Sequence, residues 1–211
     1  MSEQVWICDA VRDSGLIRGF WATVNNENAA TSDAEDAWAL VRKIEAGTPA
    51  LEGELPKRLY HSRPTDFSGK LPAFFHSSLM LINGEAADVI RSQNIGDAIV
   101  SPVELFQNDK TTAISGDYFV LCPGNPTRTI DLENTKGVKL RFPRHEIYKL
   151  PLFFDDNSII TLSQKEICYD IWVDPLISGG PFFISDRLAN ALENAGLKKA
   201  FRLRPTASLI D

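Results

Sequence analysis

A chain of 211 residues and 23.4 kDa is long enough to bury roughly 70% of its unfolded surface around one core. Hydrophobic residues at 44% and charged residues at 24% are globular averages, which excludes disorder over any long stretch. Twenty-eight Asp and Glu against 22 Lys and Arg give a formal charge of −6 and a pI near 5.1, which repels a phosphate backbone on average, so no nucleic-acid partner is expected.

The opening MSEQVWICDAVRD has neither a basic n-region nor an apolar h-region, and no apolar run approaches the roughly 20 residues of a bilayer span. The expectation is a cytoplasmic protein with no membrane partner. VWICDAV and GFWATVNN, separated by the Ser14-Gly15 turn signal, read as two short strands with a hairpin-like connection. In TSDAEDAWALVRKIEAG, Ala34, Ala37, Trp38, Val41 and Ile44 recur at helical spacing. Ser32 with Glu35 makes a capping box, and Gly47 with Pro49 supplies the stop. Residues 47 to 72 hold Pro49, Pro56, Pro64 and Pro72 around one extended fragment, KRLYHS. This predicts a lobe boundary near residue 70, dividing an N-terminal subdomain of residues 1–70 from an α+β domain of residues 71–211.

AFFHSSLML then leads to Asn83 as N-cap of a helix GEAADVIRSQ, with Ala86, Ala87, Val89 and Ile90 on its buried side and Asn94 ending it in the left-handed region. From Ser101 to Asp174 seven short runs alternate with turn formers: PVELFQ, DYFVLC, RTIDLE, VKLRF, IYKLPLFF, SIITL and YDIWVD. No crossover helix separates them, so a mainly antiparallel sheet is predicted. PFFISDRLANALENAGLKKAFRLRP closes the chain with a strand, Ser185 as N-cap, a helix lined by Leu188, Ala189, Ala191, Leu192 and Ala195, Gly196 as terminator, and a strand carrying Phe201 and Leu203. Its pattern repeats that of LMLINGEAADVIRSQNIGDAIVSP: Leu81-Ile82 falls on Phe183-Ile184, Asn83 on Ser185, Asn94 on Gly196 and Ile95 on Leu197. The fold class is therefore α+β, a mainly antiparallel sheet with about three helices packed on it and two similar strand-helix-strand units.

Chemistry-bearing patterns are few. Cys8, Cys122 and Cys168 are widely spaced and form no CxxC pair, which argues against a disulfide framework and a zinc site. His61, His76 and His145 sit in no HExxH or i, i+4 arrangement, and His76, beside Phe74 and Phe75, reads as a structural residue. GxSxG, GxGxxG and GxxxxGK[ST] are all missing, and Gly179-Gly180 precedes a strand rather than opening a helix, so no cofactor, metal or catalytic residue is expected. The carboxylates of the sheet region read as solvated faces and turns, as a hidden acid and base pair, or as a face that contacts a cationic partner. Candidate contact residues on the last reading are Asp155, Asp156, Asp170 and Asp174, with the aromatics Trp172 and Tyr148. Trp172 lies between Ile171 and Val173, where burial in a core is an equal reading.

FFISDRLANALENAGLKKAFRLRP, together with SPVELF, DYFVLCPGN and TIDLEN, resembles the bacterial immunity protein 11 family over roughly residues 75–207. Lys198-Lys199 departs from the small residue and Gly that often follow that family's helix, and the first 70 residues match nothing in it. The resemblance implies a non-enzymatic antidote of a polymorphic toxin system, whose partner is a cognate toxin protein bound stoichiometrically and blocked.

Overall fold

The computed structural model describes residues 4–22, 33–51, 53–63, 67–162 and 167–208, with the backbone alone for residues 22 and 33–38. Two main sheets carry the fold. The larger has the order β2-β3-β6-β7-β5-β4, from Phe20–Ala22, Arg58–His61, Ile99–Phe106, Tyr118–Cys122, Met80–Asn83 and Phe74–His76. The smaller has the order β11-β12-β1-β13, from Ile171–Trp172, Phe182–Ser185, Val5–Cys8 and Leu203–Pro205. Within these two sheets the pairing is antiparallel except where β3 meets β6, and outside them β10 (Ile160–Thr161) pairs in parallel with β14 (Ala207–Ser208). The helices are α1 (Asp33–Glu45), α2 (Gly84–Arg91) and α3 (Asp186–Asn194). None is long and apolar enough to cross a membrane among the described residues.

The expected repeat is present as two matching units. β5 runs into α2 and β12 into α3; β5 pairs with β4 and β7, as β12 pairs with β11 and β1. Asn83 stands opposite Tyr118 as Ser185 stands opposite Val5, and Pro102 faces Phe119 as Pro205 faces Trp6. Both N-caps act as their side-chain chemistry dictates. Asn83 Oδ1 accepts from the Ala86 N–H at 3.0 Å, and Ser185 Oγ from the Leu188 N–H at 3.2 Å.

The C-terminal ends differ. Gly196 adopts φ +73, and its N–H and that of Leu197 donate to the Glu193 and Leu192 carbonyls, a Schellman closure that only a residue free of left-handed strain completes cheaply. α2 is one residue shorter, eight against nine, so Asn94 matches Leu197 rather than Gly196 and is not in the left-handed region. Its N–H donates instead to Asp170 Oδ2 at 2.9 Å. The expected role of Asn94 as an αL cap is thus corrected: it ties the first unit to the second. α1 ends in the same Schellman pattern, on Gly47 at φ +73. Ser32 and the side chains of Ala34, Ala37 and Trp38 lie outside the described residues.

α2 and α3 each rest on the strands of their own unit and pack against each other, so one core serves both. Phe74, Phe75, Phe182 and Phe201 are fully buried in it, and the Phe74 and Phe201 rings meet across the two units at 5.2 Å. Removing any of these rings costs about 3–5 kcal/mol.

Three sequence expectations are corrected. β1 and β2 form no hairpin: 3-10 turns at Ala10–Arg12 and Ser14–Leu16 carry the chain from one sheet to the other. The sheets do not divide near residue 70, because β1 sits between β12 and β13 and β3 beside β6. RTIDLE forms no strand beyond an isolated bridge at Ile130, since Asp131 Oδ1 accepts from the Glu133 and Asn134 N–H groups and turns the chain.

Candidate functional site

VKLRF and IYK form an antiparallel two-stranded arm, β8 (Lys139–Phe142) and β9 (Ile147–Lys149), outside both main sheets. A 3-10 turn at Pro143–His145 joins them, closed by Glu146 at φ +51. Every residue of β8 is exposed. Leu140, Phe142, Leu152 and Phe153 are four of the seven large hydrophobic residues that are exposed among the described ones, so the apolar surface is concentrated on this arm and the loop after it.

The arm is seated, not loose. The Tyr148 N–H donates to the Leu176 carbonyl at 2.7 Å, and the Ser178 N–H to the Tyr148 carbonyl at 2.8 Å. Below it, Leu150, Ile159, Ile177, Trp172 and Phe183 form a second buried cluster, with Trp172 and Phe183 stacked at 6.3 Å. The loop 151–154 is pinned at both ends by arginines. Arg12 Nη2 donates to the Pro151 carbonyl at 2.5 Å and Arg204 Nη1 to the Phe154 carbonyl at 2.7 Å. Both guanidinium groups also lie over the Phe154 ring, at 5.6 and 5.3 Å from its centre. Between these two pins Leu152 is 63% exposed and Phe153 87%. The Arg12 guanidinium lies 3.2 Å from Asp9, and burial pushes the Asp9 carboxyl above its ordinary value although Arg12, Arg204 and Arg202 pull it down.

A cleft of about 560 Å³ opens beside the arm, between it, the end of α1 and the segment 175–178. Arg42, Glu45, Phe142, His145, Ile147 and Ile177 line it. Burial raises the Glu45 carboxyl above its ordinary value, and nearby Arg141 partly offsets this. A carboxyl held above its ordinary value that lines the same cleft as an imidazole is raw material for acid-base chemistry. Among the described residues, however, no ion pair within 4.0 Å joins Glu45 to His145. A second groove, of about 640 Å³, runs along β6 and β7 past Lys57, Glu104 and Asp117. Its aromatics are already engaged: Tyr118 donates to the Ser115 carbonyl, and Phe119 lies under Arg91.

The six residues singled out from the sequence do not form one face. Asp155 and Asp156 are exposed in the turn after the pinned loop, and Asp156 lies 3.9 Å from Arg204. Tyr148 is half-buried on β9. Asp170, Trp172 and Asp174 are interior, and their expected place on a contact surface is corrected. Asp170 accepts from Ser185 Oγ at 2.5 Å and from both Nε and Nη2 of Arg187. Trp172 Nε1 donates to Thr129 Oγ1 at 2.8 Å. Asp174 accepts from the Thr129, Ile130 and Leu176 N–H groups, which fixes the segment on which β9 rests. These three residues support the arm and the joint between the units from beneath.

The histidines are dispersed. His61 is buried between the Phe20 and Phe67 rings, His76 lies 3.3 Å from the Asp13 carbonyl, and His145 reaches the cleft. Among the described residues no group of three His, Cys, Asp or Glu is placed to hold a metal ion. Leu140, Phe142, Leu152, Phe153 and Glu45 were not singled out by sequence reasoning. The legible signal was KGVKLRFPRHEIYK, a basic run in an acidic chain, followed directly by LPLFF. No protein-family model matches the chain, and no curated protein matches it.

Proposed function

We propose that this chain is a non-catalytic immunity protein that binds a cognate bacterial toxin domain in the cytoplasm and neutralises it by covering its working surface. The observation that carries the reading is Phe153, 87% exposed between two arginine-pinned residues. A large aromatic held rigidly in water gains most when a partner covers it, and such residues dominate binding energy. The resemblance of residues 75–207 to the immunity protein 11 family supplies the kind of partner. Mixing the purified chain with the product of the neighbouring gene and passing the mixture over a sizing column tests it. Co-elution with loss of the toxin's activity is expected; separate elution at micromolar concentrations overturns it.

A second reading, a hydrolase-like enzyme, is favoured by the raised Glu45 carboxyl facing the same cleft as His145. Turnover of a small ester or glycoside by the isolated chain, lost in both Glu45→Gln and His145→Ala, would establish it in place of the first.

A further inference from the structure

Charge is not spread evenly over this chain. Residues 136–149 carry Lys136, Lys139, Arg141, Arg144 and Lys149 against a single acid, Glu146, within a chain of formal charge −6. All five cations are exposed, four on the arm that displays Leu140 and Phe142 and Lys136 just before it. We infer that this arm and the pinned loop after it dock a protein whose contact face is acidic and apolar. The inference rests on the binding-protein reading and deepens it by naming the partner's surface chemistry. It reverses the expectation drawn from net charge, which pointed to a cationic partner.

The local charge selects among occupants. A second copy paired two-fold through the arm is disfavoured, because such pairing sets like charges against one another. A nucleic acid carries one charge per ~1.7 Å, so a duplex held by the arm runs on past an acidic body that repels it, and its backbone offers nothing to Leu152 and Phe153. A compact protein face with carboxylates around an apolar depression satisfies both features. Asp155 and Asp156 come after the Phe154 pin, with Asp156 already near Arg204, so they do not cancel the cations of the arm. Because the arm lacks slack at Pro151 and Phe154, little ordering cost is left for binding.

The test uses the full chain, the neighbouring gene's product, and a short fluorescein-labelled peptide alternating Asp with Leu and Phe. Lys139→Glu, Arg144→Glu and Lys149→Glu are introduced together, and Leu152→Ser with Phe153→Ser separately; circular dichroism confirms folding, which these exposed positions do not support. Both variants should weaken the complex with the gene product by about tenfold or more, and salt should weaken the wild-type complex but not the charge-reversed one. A wild-type complex that both variants leave unchanged overturns the inference while the immunity reading stands. If the wild-type chain forms no complex with that product, the immunity reading falls. The peptide then decides the inference: arm-dependent binding, lost when Lys replaces Asp in the peptide, sustains it, and no binding overturns it. Tighter arm-dependent binding of duplex DNA, or of phosphatidylcholine vesicles carrying phosphatidylserine, also overturns it.

Discussion

Asn94 and Asp170 are bonded to each other twice: the Asp170 N–H donates to the Asn94 carbonyl at 2.7 Å, and the Asn94 N–H donates to the Asp170 carboxylate at 2.9 Å. That carboxylate also receives Ser185 Oγ, the N-cap of α3, and the Arg187 guanidinium. One buried side chain thus closes the last turn of α2 and braces the first turn of α3. Asp170→Ala should lower stability by about 3 kcal/mol, because a backbone N–H and an arginine lose a buried acceptor together. Asp170→Asn, which keeps one acceptor oxygen, should lose clearly less. Urea titration of both variants checks the order, and equal losses would contradict the shared-acceptor account.

Two glycines separate backbone strain from steric conflict. A Cβ on Gly196, at φ +73, meets nothing within 4 Å, so Gly196→Ala should cost only about 1 kcal/mol, the price of the left-handed conformation. A Cβ on Gly96, at φ +54, falls 2.5 Å from Asn125 Oδ1 and 2.8 Å from Tyr169 Cδ1. Asn125 is buried, and its side chain bonds Ile95, Asp97 and Ile171, so it has little room to yield. Gly96→Ala should cost at least about twice as much as Gly196→Ala in thermal melts.

Glu45 should make stability fall with rising pH. Its folded carboxyl titrates above the ordinary value of 4.5, so the unfolded chain ionises first and is favoured as pH climbs through that window. At acid pH both states are protonated and the effect vanishes. Glu45→Gln should therefore melt higher than wild type at neutral pH, by about 1 °C after solvent screening, with the two curves converging below the carboxylate range. A difference that grows toward acid would refute the burial argument.

Thiol chemistry should separate the three cysteines. Burial pushes Cys122 up to about 12 and raises Cys8 as well, whereas Cys168 is exposed. A disulfide reagent such as Ellman's should react promptly with a single thiol in the native protein and with all three in guanidinium. Prompt reaction of Cys8 or Cys122 would mean that the core opens far more readily than its packing implies.

Much of the fold could be read directly, because local chemistry decides it. Asn83, Ser185 and Gly196 announced their helix ends through side-chain oxygens and a missing Cβ, and the two strand-helix units followed from their spacing. Long-range choices could not be read. Nothing in VWIC says that its partners are β12 and β13, and Asp131 looks like a strand residue until its side chain closes a turn. In YDIWVD, period two places Asp170, Trp172 and Asp174 on one side of a strand, and a solvated side is the ordinary reading of two acids. That strand lies between two cores, with Ile171 and Val173 in one and Trp172 in the other, so both of its sides are interior. The candidate surface was missed for a different reason: net charge averages over a chain whose cations are gathered on one arm.

The position of β1 sets when the smaller sheet can close. Val5–Cys8 is synthesised long before both neighbours that complete its hydrogen bonding, β12 and β13. Until Pro205 is made, the smaller sheet lacks a member and the apolar strand β1 waits unpaired. Such distant closure slows folding.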